Sequence, residues 1–257
     1  MLIPSPLLVV TDRHGSARPL VETVRAVLDG GARWIWFRDK DLEPATRRDL
    51  ALELLALVRT AGGRLTIGGD AVLAAEIDAD GVQLGAAYLE LVPKSADAFG
   101  DRAVDLEPSL RGEVEAIQGQ RTGVGVSALD CFATLAMTDE APRRKGRGRE
   151  AFVVGVSAHS LGDVRRAREA GADYATLSPI FTTASKPGYG PALGLDGLHE
   201  AAAIGLPVVA LGGIAPEHAV ACREAGAAGI AVMGGIMRAA DPAAATRRYL
   251  QALHPLT

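Results

Sequence analysis

Short apolar segments alternate with amphipathic segments along most of the chain. Eight apolar runs are bounded by glycine, proline or aspartate, a pattern that is typical of short buried strands. They are PLLVVTD ending at Asp12, RWIWFRDK from Arg33, RLTIGGD from Arg64, DGVQLG from Asp80, AFVVGVSAH from Ala151, DYATLSPIF from Asp173, PVVALGG from Pro207 and GIAVMGG from Gly229. Most of the segments between them, such as LVETVRAVLDGG, carry apolar residues at helical spacing. The pattern therefore predicts alternating β-strands and α-helices.

This alternation predicts a parallel sheet with right-handed crossovers. Several strands are apolar throughout, as expected when both faces of a sheet are covered. Eight strand–helix units in 257 residues favour an α/β fold, a single (β/α)₈ TIM barrel over residues 1–257. An open doubly wound sheet is the alternative, but its G-x-G-x-x-G fingerprint does not follow the first strand, where the sequence is TDRHGSA.

One connection is too long for a simple crossover. A β–α–β crossover needs about a dozen residues or slightly more, whereas residues 86–150 lie between the fourth and fifth runs. We therefore predict a long insertion between strands 4 and 5, at about residues 88–150. Its RRKGRGRE run is typical of an exposed loop. A hairpin or helix pair on the barrel rim and a partner-binding arm both fit the remainder.

Composition and charge narrow the class of protein. Apolar residues make up 48% of the chain and the net charge is −4, which argues against a nucleic-acid groove. No run approaches the about 20 apolar residues of a membrane span. Pro4 and Pro6 interrupt the first apolar run, so it is not a signal peptide, and Cys131 and Cys222 fit reduced thiols. We expect a cytoplasmic protein with no nucleic-acid or membrane partner, and a homo-oligomer stays open.

Two glycine pairs end the last two predicted strands. Gly212-Gly213 follows run seven and Gly234-Gly235 follows run eight. In barrels of this class the loops after strands 7 and 8 often form a phosphate site, and glycine lets bare amides approach the anion. The pairs therefore predict a phosphate monoester site. The alternative is that these residues merely turn the chain.

Polar residues cluster at the other predicted strand ends, where functional residues of this fold lie. They are Thr11, Asp12, Arg38, Lys40, Asp70, Gln83, Ser157, His159, Ser178, Thr182, Thr183 and Lys186. Arg38 and Lys40 share one face of an extended strand and either bind an anion or are solvated charges. The run SPIFTTASKPGYGPALG predicts a loop that covers the ligand with Thr183 and Lys186, and a surface loop without this role is the alternative. The position of His159 makes it the candidate acid–base group, since imidazole exchanges protons near neutral pH.

Taken together, these motifs resemble a known family. VVTD, FRDK, ADGVQLG, GVSAHS, GADYATLSPIFTTASK, PVVALGG and GIAVMGGI, in this order and spacing, are similar to the thiamine phosphate synthases and TenI-like thiazole tautomerases. The resemblance spans the chain outside about residues 88–150. It implies a (β/α)₈ barrel and a small phosphorylated thiazole as substrate.

The resemblance also implies a choice between two activities. The synthase joins a pyrimidine pyrophosphate to a thiazole phosphate with Mg²⁺, which an aspartate of an Asn-Asp pair after strand 3 helps to bind. The matching residues here are Gly68 and Gly69, and a second family aspartate falls at Tyr88. Asp70 is one residue away from the lost position. The synthase glutamine before the Arg-x-Lys pair is replaced by Trp36, a bulky residue on the pyrimidine side of the pocket.

The missing carboxylates favour the tautomerase. In that branch the histidine that matches His159 moves one proton within a dihydrothiazole carboxylate phosphate and so makes the ring aromatic. Arg38 and Lys40 would lie near the substrate carboxylate, and no cofactor or metal would be required. Mg²⁺ is expected only if the chain is a divergent synthase, an alternative that His159 does not exclude because many synthases share it. A non-catalytic thiazole-phosphate-binding protein is the third hypothesis.

Overall fold

A computed structural model of the chain describes residues 3–16, 18–91, 152–182 and 191–253. The strands are β1 Leu7–Val10, β2 Trp34–Phe37, β3 Arg64–Gly68, β4 Gly81–Leu84, β5 Val153–Ala158, β6 Tyr174–Leu177, β7 Val208–Leu211 and β8 Gly229–Val232. The helices are α1 Leu20–Asp29, α2 Pro44–Thr60, α3 Ala71–Glu76, α4 Leu161–Glu169, α5 Gly194–Ala202, α6 Ala219–Glu224, α7 Gly234–Met237 and α8 Pro242–Leu253. Each of the eight predicted apolar runs contains one strand.

The strands form a closed barrel in chain order. Each strand pairs in parallel with the next, and β8 returns to β1, where Leu7 lies opposite Ile230 and Val9 opposite Val232. The (β/α)₈ barrel predicted from the sequence is therefore confirmed. Because all strands run the same way, their carboxyl ends meet at one rim.

The strands are apolar throughout because both of their faces are buried. In β1, Leu8 and Val10 join the cluster inside the barrel, whereas Leu7 and Val9 join the larger cluster between barrel and helices. Side chains alternate between the faces of a strand, so a strand with two buried faces shows no polar period.

Large aromatic side chains fill the barrel interior. Trp34 and Tyr174 meet edge to face with ring centroids 4.9 Å apart, and Trp34 Nε1 donates to Thr66 Oγ1 over 2.9 Å. A Cβ atom on Gly155 would collide with the Tyr174 ring, so the absence of a side chain there makes room for the phenol. The interior is thus a packed core below the rim.

The helices begin largely as the sequence predicts. The Ser160 hydroxyl caps α4 by accepting a hydrogen bond from Asp163 N at 3.1 Å. A 3₁₀ turn at Pro216–His218 precedes α6. Ala215 has no side chain that can cap this end, and the His218 ring accepts the Ala215 N–H instead.

The connection between β4 and β5 holds the predicted insertion. After β4 a 3₁₀ turn covers Ala86–Leu91, and β5 begins only at Val153. The boundaries of about 88–150 lie mostly outside the described residues, so they stay a prediction. Cys222 is a buried free thiol. Within the described ranges, no helix combines the length and apolarity needed to cross a bilayer.

The Arg47 guanidinium of α2 ties the ends of β2 and β3 together. Its nitrogens donate to the carbonyls of Asp39 and Gly68 over 3.1 and 2.8 Å and to Asp70 Oδ2 over 2.8 Å. The guanidinium also lies 5.6 Å from the centre of the Phe37 ring. One buried cation therefore positions two of the loops that form the rim.

We expect Arg47→Ala to lower the free energy of unfolding by about 3 kcal/mol, because it leaves two strand-end carbonyls without their donor and removes the ion-pair partner of the partly exposed Asp70. Urea denaturation measures this change. The control is Arg48→Ala, which removes the half-exposed pair with Glu76 and should cost about 0.5 kcal/mol. Equal losses in the two variants would contradict the role of Arg47.

Candidate active site

A cavity of about 800 Å³ opens at the carboxyl rim of the barrel. It brings together eleven of the strand-end residues that the sequence singles out: Asp12, Arg38, Lys40, Gln83, Ser157, His159, Ser178, Gly212, Gly213, Gly234 and Gly235. Its floor is the upper layer of the interior cluster and is apolar, with Val10, Trp36, Ala231 and Met233. The cavity thus combines an apolar floor with a polar rim, as small-molecule sites do.

The first glycine pair is required by the fold as well as by the cavity. Gly212 and Gly213 have φ values of +98° and +66°. A Cβ on Gly212 would lie 2.9 Å from Pro179 Cα, and one on Gly213 would overlap the backbone of residues 181–182. In the described part of the chain, the amides of both glycines donate to no backbone acceptor. Turning the chain and presenting bare amides are therefore compatible roles.

The second glycine pair begins α7 on the neighbouring strand. Gly234 and Gly235 occupy the first turn, whose amides have no partner within the helix. A side chain on Gly235 would collide with the Tyr249 hydroxyl, which donates to Ile214 O over 3.0 Å. Since β7 and β8 are paired, the two glycine pairs lie side by side at the rim.

His159 follows β5 directly, and both its backbone and its ring are held. Its N–H donates to Asp163 Oδ2 over 2.8 Å, within the cap of α4. Its Nδ1 lies 3.0 Å from Ser178 O and 3.2 Å from Ser178 Oγ, at the end of β6. Because a carbonyl only accepts, the neutral ring carries its proton on Nδ1 and its lone pair on Nε2.

Arg38 and Lys40 extend from the end of β2 towards different neighbours, and Arg38 Nη1 lies 4.0 Å from Met233 Sδ, next to the second glycine pair. In the ring of eight strands β3 is opposite β7, and Lys40 leans from the β2 end over Gly69 at the end of β3. Any side chain at position 69 would overlap the Lys40 ammonium group. The cavity therefore has one cationic side chain, Lys40, at the β3 end and another, Arg38, that reaches the β8 end beside a glycine pair.

The structure adds charged residues that the sequence pattern does not single out. Arg238, one turn after the second glycine pair, lines the cavity and donates to Asp12 Oδ2 over 3.1 Å. His14 and Asp41 also line it, with His14 Nε2 2.8 Å from Asp41 Oδ2. The hydrogen bonds from His14 and Arg13 lower the Asp41 pKa to about 2. The helical spacing of Arg238 from Gly234 is the one signal that could have identified it.

Two candidate residues fall outside the described part of the chain. Thr183 and Lys186, which the sequence assigns to a ligand-covering loop, lie between residues 182 and 191. Their roles in substrate binding stay predictions.

The fold and the cavity define a (β/α)₈-barrel protein with a ligand site at the carboxyl ends of its strands. A family model described as "Thiamine monophosphate synthase" matches residues 7–104 and 135–236. The chain therefore belongs to the thiamine monophosphate synthase family, as the sequence motifs indicate.

Similar proteins agree with this assignment. The thiamine-phosphate synthase of Roseiflexus sp. strain RS-1 is 32% identical over 93% of this chain and 81% of its own length. That of Moorella thermoacetica is 31% identical over 93% of this chain and 91% of its own. The thiamine phosphate pyrophosphorylase of Pyrococcus furiosus has a TM-score of 0.65 at 26% identity, covering 96% of this chain and 94% of that structure.

The carboxylates around the cavity do not fit the Mg²⁺ that the synthases use. Asp12 accepts from Arg238, and Asp39 accepts from the Thr11 hydroxyl and from Arg13 N. Asp41 is held by Arg13 and His14, and Asp70 by Arg47 and Leu73 N. Within the described residues, no group of three or more acidic, histidine or cysteine side chains could hold a metal ion. Lys40 covers Gly69, where the resemblance implies a ligand aspartate.

Asp163 links the stability of this site to pH. Burial by itself raises the Asp163 pKa, but hydrogen bonds from His159 N, Arg166 and Ser160 outweigh it and hold the pKa below 3.8. The ionised carboxylate therefore stabilises the folded chain above pH 3.8, and this contribution is lost as the pH falls through the lower folded-state value.

We expect the loss of stability in Asp163→Asn to be largest near neutral pH and to shrink below about pH 4. Urea midpoints of the variant and the unmodified chain, measured from pH 7 to pH 3, test this. Asp196→Asn, at an exposed position of α5, is the control. A difference between Asp163→Asn and the unmodified chain that stays constant over this range would refute the linkage.

Proposed function

We propose that this chain is a thiazole tautomerase of thiamine biosynthesis that works without a metal ion. The substrate is a dihydrothiazole that carries a carboxylate and a phosphate. One observation carries the proposal: the Nδ1 hydrogen bond from His159 to the Ser178 carbonyl holds the imidazole at the cavity that both glycine pairs also line.

Binding would use the two sides of the cavity. The N–H groups of Gly212, Gly213, Gly234 and Gly235 would donate hydrogen bonds to the phosphate oxygens, since unpaired backbone N–H groups bind anions well. Lys40, at the β3 end, would face the carboxylate together with Arg38, whose Nη1 lies 4.0 Å from Met233 Sδ. Thr183 and Lys186 would complete the phosphate side from the loop after β6. This arrangement leaves the ring between the two anionic groups, over the apolar floor.

The chemistry requires one group that both removes and returns a proton. His159 Nε2 would take a proton from a ring carbon and deliver it to the side-chain carbon, which moves the double bond into the ring. The number of electrons and atoms is unchanged, and the aromatic product provides the driving force. A positioned base of this kind contributes about 10²- to 10⁴-fold in rate.

Thiamine-phosphate synthase is the second candidate, and the similar proteins favour it. The relatives described above carry that name, and they match more than 80% of their own length. The end of β3 favours the tautomerase, because Gly68 and Gly69 supply no carboxylate for Mg²⁺. A paired assay separates the two candidates.

We expect the chain to convert the dihydrothiazole carboxylate phosphate equally well with and without EDTA. It should form no thiamine phosphate from the pyrimidine pyrophosphate and the thiazole phosphate when Mg²⁺ is present. Mass spectrometry of both reactions measures the products. Formation of thiamine phosphate that depends on Mg²⁺ would replace the first candidate with the second.

We expect His159→Ala to lower kcat of the tautomerisation by about 10²- to 10⁴-fold and to leave the dissociation constant of the aromatic product nearly unchanged. His199→Ala, on the exposed face of α5, is the matched control and should retain full activity. Full activity of His159→Ala would disprove the role of the imidazole. Binding of the product with no turnover in the unmodified chain would indicate a binding protein.

A further inference from the structure

The end of β3 contributes no side chain to the cavity, because two side chains of the β2 end cover it. A Cβ on Gly68 would lie 2.6 Å from Trp36 Nε1, and one on Gly69 would overlap the Lys40 ammonium group. Both Trp36 and Lys40 line the cavity. The wall between β2 and β3 therefore consists of an indole edge and an ammonium group in place of two β3 side chains.

The two tryptophans of the chain have different environments in the same strand. Trp34 is paired in register with Arg64, and its Nε1 donates to Thr66, two residues further along β3. Trp36 is paired with Thr66, and its Nε1 meets Gly68 at the same offset, where no acceptor side chain exists. Within the described residues, Trp36 Nε1 is buried and has no hydrogen-bond partner.

The stability of the barrel does not explain why the indole N–H of Trp36 has no hydrogen bond within the described residues. A buried donor without an acceptor costs free energy, whereas Trp34 one layer below keeps its bond. What distinguishes Trp36 is its place at the cavity floor, beside Val10, Ala231 and Met233. A buried donor without an acceptor departs from the rule that buried polar groups are hydrogen-bonded, and such departures are expected at functional sites.

We propose that Trp36 is a specificity-determining residue that contacts the ring of the ligand at the cavity floor. It acts together with Lys40, which lies next to it over β3. The ligand class is a single planar heteroaromatic ring with a phosphate towards β7 and β8 and an acidic substituent towards β2 and β3. This inference rests on the proposed function for the identity of the ring, but its test measures binding and not turnover.

The chain has two tryptophans, so each can be made the sole indole emitter. The probe is the aromatic thiazole carboxylate phosphate, and inorganic phosphate is the control ligand. In Trp34→Phe, where Trp36 alone emits, the thiazole probe should change the fluorescence in a saturable way and phosphate should not. In Trp36→Phe, where Trp34 alone emits, the thiazole probe should leave the emission unchanged.

Affinity gives an independent readout. By calorimetry, Trp36→Leu should bind the thiazole probe about 3- to 10-fold more weakly, the range of an aromatic contact. Its affinity for inorganic phosphate should be unchanged. Gly68→Ala should likewise weaken binding of the thiazole probe, because its methyl group displaces the indole. Gly162→Ala is the matched control, since the nearest atom to its added Cβ is 3.5 Å away.

A second measurement covers the case in which Trp34→Phe does not fold. The unmodified chain labelled with 5-fluorotryptophan gives two ¹⁹F resonances, which Trp36→Phe assigns. The Trp36 resonance should shift with the thiazole probe and the Trp34 resonance should not.

The possible outcomes separate the two proposals. If calorimetry shows that the probe binds, but the Trp36 signal does not change and Trp36→Leu keeps full affinity, the inference is wrong and the tautomerase proposal stands. If Trp36 responds but no turnover occurs, the inference stands and the tautomerase proposal falls.

Discussion

Closure of eight parallel strands into one hydrogen-bonded ring is the constraint on which the site depends. Because β8 pairs with β1 and every strand runs the same way, all carboxyl ends face one rim. Residues as distant in the chain as Lys40 and Gly234 therefore line one cavity. The packed interior below, with Trp34 and Tyr174, closes the barrel and gives that cavity a floor.

The β2–β3 side of the rim shows how packing and chemistry are linked. Arg47 donates to the carbonyls of Asp39 and Gly68 and so joins the two strand ends. Trp36 and Lys40 cover the glycines of β3. The Lys40 ammonium group fills the space that a side chain at position 69 would enter, so it would have to move if an aspartate stood there. The family scaffold is thus retained while the chemistry offered at one strand end is different.

The family and the reaction rest on different kinds of observation. Family membership follows from similarity along most of the chain. The matched residues include the barrel strands and the glycine pairs that follow β7 and β8. The reaction depends on a few side chains at the rim, and these can change without a change of fold. At about one-third identity, the names of relatives are therefore stronger evidence for the fold of this chain than for the reaction that it catalyses.

Much of the fold and part of the site could be predicted from the sequence. Strands buried on both faces must be apolar throughout, and glycine pairs at strand ends mark close approaches, so β1 to β8 and the four glycines were recognisable. The sequence did not reveal that Gly212 and Gly213 also make room for residues 179–182, since that contact joins two loops. Nor did the sequence reveal the 3₁₀ turn at Pro216–His218, where the His218 ring accepts the Ala215 N–H.

What the sequence by itself determined is the alternation of strands and helices, the order of the barrel and the residue types at its rim. Only the tertiary structure decided which charges meet: Arg238 with Asp12, His14 with Asp41, and the Nδ1 of His159 with the carbonyl of Ser178. The reason is physical. Periodicity is a property of neighbouring residues, whereas ion pairs and tautomers depend on distances between loops that the closed ring of strands brings together.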